Sequence, residues 1–86
     1  MAQFCPFLFF GVVMSAIQKH RRLLGETLRG KRKDAGFSQE KLAERADLST
    51  VFISRIERGI ESPTVDNLLK VAKALRVQVR DLVDGF

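Results

Sequence analysis

From Gln18 onward the apolar residues of this 86-residue chain recur at three- and four-residue intervals, and no stretch alternates apolar with polar long enough to argue for a strand. That periodicity restricts the chain to an all-α fold. Its punctuation then divides the pattern into five helices. The first is expected from about Ile17 to Ala35, with Leu23, Leu24 and Leu28 on its buried stripe and Gly36 as a left-handed stop. Ser38 opens a second, SQEKLAERA, in which Leu42, Ala43 and Ala46 face inward. Ser49 opens the third, which Gly59 closes, and Thr64 opens the fourth, TVDNLLKVAKAL. Leu68, Leu69, Val71, Ala72 and Leu75 give that helix the widest apolar face of the chain. A last short helix, about Val79 to Val83, contributes Val79 and Leu82.

With no tryptophan or tyrosine and seven phenylalanines, the core has to be mainly aliphatic. A chain of this length folds as one small domain but does not enclose a deep catalytic cleft. Cys5 and His20 are the only residues of their kinds, so no internal disulfide, thiolate pair or metal-ligand cluster can be assembled. Neither metal nor cofactor is expected, His20 reads as an exposed side chain in a basic run, and enzymatic chemistry is not anticipated.

The formal charge of +5 is unevenly spread. Residues 1–18 carry none, residues 19–58 hold 11 Lys/Arg against 6 Asp/Glu, and residues 59–86 hold 4 against 4. A basic excess confined to the middle points to an anionic partner, nucleic acid before a membrane surface, with plain solvated charge as the competing explanation.

Residues 1–17 read as an apolar extension ahead of a domain spanning 18–86. The uncharged run FCPFLFFGVVMSAI covers 14 residues, short of the ~20 a helix needs to cross a bilayer. The basic residues Lys19, Arg21 and Arg22 follow it, the reverse of a signal peptide, so a cytoplasmic protein is expected and a membrane is the less favoured partner. Three readings of the run stand side by side: an over-long start ahead of Met14, a segment packed on this domain or a second copy, and a peripheral membrane attachment. Pro6 would suit the first turn of any helix formed there.

The third helix, LSTVFISRIERG, has two faces. Once Phe52, Ile53 and Ile56 are buried, Val51, Ser54, Arg55 and Arg58 fall at i, i+3, i+4 and i+7 on the opposite stripe, with Thr50 beside them.

The combined stretch SQEKLAERADLSTVFISRIERG and SPTVDNLLKVAKAL resembles the Cro and phage-repressor type of helix-turn-helix regulator, also called the xenobiotic-response-element family. Gln39, Leu42–Ala43, Ile53–Ser54, Ile56–Glu57, Gly59 and Pro63 carry the resemblance, which runs from about Leu24 to Leu82. It implies a compact five-helix domain that binds double-stranded operator DNA, usually as a homodimer. On that footing the outer stripe enters the major groove, with Thr50, Val51, Ser54 and Arg55 as base contacts. Arginine can bond guanine O6 and N7 together, hydroxyls can address several bases, and valine can meet a thymine methyl.

The resemblance also assigns Gln39 to a backbone phosphate at the N-terminus of the second helix, flanked by Ser38 and Arg58, while Lys41 and Arg45 add only field. It pairs Arg32 with Glu57 in a partly buried ion pair between the first helix and the end of the third. The chain departs from the family in two places. Asp47 stands where glycine is usual, so a positive φ is expected there, and the loop after the third helix reads Ile60, Glu61, Ser62 where basic residues are common. Val79, Leu82, Val83 and Phe86 are the candidate surface for self-association, with intramolecular core as the competing role for Leu82.

The expectation is a sequence-specific transcriptional regulator of two-fold symmetric DNA. It could serve as a small phage-like repressor, a restriction–modification controller, or an antitoxin with a toxin as protein partner. The alternative is a membrane-linked adaptor that uses the same domain to bind protein.

Overall fold

The structure, a computed structural model, describes the backbone of residues 6–86 and the side chains of residues 11–86. Five helices follow in order: α1 (Pro6–Asp34), α2 (Gln39–Ala46), α3 (Thr50–Glu57), α4 (Val65–Leu75) and α5 (Val79–Leu82). The described residues contain no strand.

Helix ends fall where the polar punctuation put them. Ser38, Ser49 and Thr64 each sit in extended backbone, and their hydroxyl oxygens accept from the N–H of Lys41, Phe52 and Asn67 at 3.0, 3.1 and 3.2 Å. Each satisfies one amide that the first helical turn leaves without a partner. At the other end of α1, Gly36 adopts φ 75°, and the N–H groups of Phe37 and Gly36 return to the carbonyls of Arg32 and Lys33. Asp47 closes α2 in the same way at φ 57°, as its departure from glycine required, and Arg76 closes α4 at φ 58°. Nothing in the sequence had marked Arg76 for the left-handed region.

The core gathers Leu24 and Leu28 of α1, Leu42, Ala43 and Ala46 of α2, Ile53 and Ile56 of α3, Val71, Ala72 and Leu75 of α4, and Leu82 of α5. Phe37, Leu48, Phe52, Leu68, Val77 and Val79 pack around it. Burying each large aliphatic side chain contributes on the order of 1.5–3 kcal/mol, so this small set carries most of the driving force for folding.

Several expectations need correction. Helix α1 is already formed at Pro6, the first residue described, and does not wait until near Ile17, because nothing between them caps or breaks a helix. The helix therefore runs unbroken through the 17/18 boundary, and the molecule measures 54 × 23 × 20 Å. The readings offered for the run before Met14 lie partly outside the described residues. Leu69 is 44% exposed because it sits on the edge of α4's apolar face that no other helix covers. Leu82 is fully buried and belongs to the core, which withdraws it from the self-association surface. His20 is not free in solvent: it is half-buried, with its ring tilted against Phe86 at a centroid distance of 4.7 Å.

Candidate nucleic-acid interface

Helix α3 is held from behind. Its inner residues Ile53 and Ile56 are fully buried. On its C-terminal side α1 comes very close: a Cβ built on Gly25 would lie 2.5 Å from the Ile56 carbonyl oxygen and 2.6 Å from that of Glu57. Only glycine permits this approach, and backbone oxygens cannot swing aside as a flexible side chain would. Gly25 was missed at the sequence level: α1 also holds Gly11 and Gly30, where an added Cβ would meet open space, so a glycine in this helical pattern does not by itself mark close packing.

An ion pair fixes the same junction. Arg32 donates Nε to Glu57 Oε2 at 2.6 Å and Nη2 to Oε1 at 3.1 Å, and its Nη1 donates to the Phe37 carbonyl at 2.8 Å. The two side chains are only 10% and 4% exposed. Glu57 Oε1 also accepts from Gln39 Nε2 at 3.1 Å. The first residue of α2 is thereby tied to the last residue of α3, which orients the Gln39 amide and leaves its oxygen and second N–H uncommitted. From the last turn of α2, Arg45 places its guanidinium 5.2 Å from the centre of the Phe37 ring, so this arginine packs as well as adding charge.

The outer stripe is open. Thr50, Val51, Arg55 and Arg58 are exposed, with Val51 at 61%, and Ser54 is half-buried. Ser38 is exposed and Gln39 half-buried beside the start of α2. Thr50, Val51, Ser54 and Arg55 thus share one outward face of a rod whose inner face is anchored. The face offers one hydroxyl pair, one methyl-rich side chain and one guanidinium, a set able to address both hydrogen-bonding and methyl positions of base edges.

Glu61, which the sequence marked only as a missing basic residue, stands next to this face. Its Oε1 lies 4.0 Å from Arg55 Nη1. Arg22 of α1 lies beneath Gly59, where a Cβ would come within 2.9 Å of the arginine side chain, so the φ 77° turn and the close fit both require glycine there.

Comparison with known proteins bears on this arrangement. A helix-turn-helix family model matches residues 28–82. Control protein C.BamHI of Bacillus amyloliquefaciens is 46% identical over 65 residues, covering 74% of this chain and 80% of that protein. The crystal structure of the restriction–modification controller protein C.AhdI from Aeromonas hydrophila superposes with a TM-score of 0.71 at 35% identity, over 72% of this chain and 94% of that one. The P22 c2 repressor, crystallised with a synthetic operator, gives 0.68 at 35% identity, over 73% of this chain and 96% of that one. Of other curated relatives the chain spans a smaller part, 41% of their length.

Proposed function

This chain belongs to the helix-turn-helix family of DNA-binding transcriptional regulators, and we propose that it acts as a homodimer on a two-fold symmetric operator, with α3 in the major groove. The observation that carries the reading is the pairing of an anchored inner face of α3 with an open outer face bearing Thr50, Val51, Ser54 and Arg55. Arg55 addresses guanine, Val51 a thymine methyl, and the two hydroxyls the neighbouring bases. Gln39, Ser38 and Arg58 bind backbone phosphates and set the register of the helix. The similarity to a repressor crystallised on its operator supports this docking.

Self-association uses the side of the domain that carries Val79, Val83 and Phe86, of which Phe86 is exposed and the two valines half-buried. Two half-sites about one helical turn apart then combine their binding energies, which offsets the absence of basic residues in the loop after α3. Among the described residues no helix is long and apolar enough to cross a membrane, and the protein works in the cytoplasm. Its 46% identity to control protein C.BamHI, over 80% of that protein's length, favours a controller of a restriction–modification system over an antitoxin or a phage-like repressor.

Selection of bound fragments from random duplex DNA at several salt concentrations tests the reading. A two-fold symmetric site should be enriched, and log affinity should fall with log salt by about 0.9 for each phosphate neutralised. Gln39→Ala should weaken every sequence about equally and leave that slope nearly unchanged, because a neutral amide displaces no counterion. Enrichment of no common site would overturn the proposal.

A further inference from the structure

The structure assigns Glu61 the role of a specificity-determining residue that commits Arg55 to base reading; the assignment rests on the groove-facing reading of α3. The carboxylate is not in the loop by accident of a floppy side chain. Gly59 turns the chain at φ 77°, and the Ile60 N–H donates to the carbonyl of Arg55 itself at 3.1 Å. This backbone bond places the next residue, Glu61, over the guanidinium of Arg55, and Pro63 stiffens the chain just beyond. The result is the 4.0 Å approach of Glu61 Oε1 to Arg55 Nη1, with the side chains 54% and 34% exposed.

At that exposure the pair contributes little to stability, and at that distance it is an ion pair and not a hydrogen bond. Its importance lies in what it does to the choices open to Arg55. An unrestrained arginine beside DNA has two anionic or electron-rich targets, the phosphates and the guanine edge, and the phosphates carry no sequence information. A carboxylate next to the guanidinium repels phosphate and engages one terminal nitrogen. The remaining N–H groups of the planar fork stay free for guanine O6 and N7. As the groove excludes water the local dielectric falls, so attraction and repulsion both strengthen just where they decide the outcome. Glu61 therefore lowers affinity for DNA in general while raising the preference for guanine at the base pair Arg55 reads.

The test compares the full chain with Glu61→Gln, Arg55→Ala and the double variant on three duplexes. These are the site enriched by selection, the same site with the Arg55-read guanine replaced by adenine, and an unrelated sequence. Melting curves confirm that each variant folds. Glu61→Gln should bind the unrelated duplex more tightly, steepen the salt slope, and lose roughly 5-fold or more of the guanine preference, the lower end of what a bidentate arginine contact provides. In the Arg55→Ala background the same change should leave the preference unaltered. An unaltered preference in the single variant would overturn the assignment while leaving the groove-facing reading intact. An equal loss with and without Arg55 would also overturn it, since Glu61 would then be reading a base alone. If the wild type shows no preference among duplexes, the reading of α3 fails and takes this role with it.

Discussion

Two arginine–glutamate pairs, one at each side of α3, differ in everything except their chemistry. Arg32 and Glu57 lie in the α1–α3 junction at 2.6 Å, almost wholly enclosed, with Phe37 and Gln39 completing the hydrogen bonding. Arg55 and Glu61 lie in the outer face and following loop at 4.0 Å, largely in solvent. Burial decides what each pair is for. A desolvated charge must keep its partner or destabilise the fold, so the inner pair is structural. A solvated pair can be rearranged at little cost, which leaves the outer one available to a ligand.

The comparison breaks first, if it is wrong, at Arg32. Arg32→Ala strands the Glu57 carboxylate and leaves the Phe37 carbonyl without its donor. It should cost about 3–5 kcal/mol and lower the Tm by more than about 12 °C, read by thermal melting. An unchanged melting curve would show that the inner pair is no more structural than the outer one. Gly25→Ala attacks the same junction through sterics. The new methyl meets two backbone oxygens, so a loss of about 2–3 kcal/mol is expected in denaturant unfolding, in a helix where alanine would otherwise be favoured. Asp47→Gly releases a non-glycine residue from φ 57° and should raise stability by up to about 1 kcal/mol; a clear loss would mean that the Asp47 side chain contributes more than its strain costs. Smallest of all, Arg55→Ala and Glu61→Gln should each move unfolding stability by less than about 0.5 kcal/mol, while DNA discrimination changes markedly. That split between stability and recognition is what separates the two regions.

Local chemistry makes much of this legible in the sequence alone. Hydroxyl caps at Ser38, Ser49 and Thr64 act within three residues of themselves, so their positions mark helix starts without reference to the rest of the chain. The two faces of α3 follow from a periodicity confined to nine residues. What escaped depended on distant partners. Gly25 meets Ile56 and Glu57, and no local pattern announces a contact over such a separation. The exposure of Leu69 and the burial of Leu82 depend on which edge of a helix its neighbours happen to cover. That α1 extends back through the apolar run as far as Pro6, the first residue described, was hidden because such a run without caps reads equally as an extension ahead of the domain. Glu61 was noticed only as a departure, since its proximity to Arg55 arises from the turn at Gly59 and the Ile60–Arg55 backbone bond.

The central claim is that Arg55 reaches a guanine edge from an anchored α3. Replacing single guanines of the selected site by 7-deazaguanine removes the N7 acceptor and leaves the Watson–Crick pair in place, so the affinity change isolates the major-groove contact. At one position in each half-site the replacement should weaken the wild type several-fold and leave Arg55→Ala unaffected. Equal weakening of both proteins, or of neither at any guanine, would contradict the account.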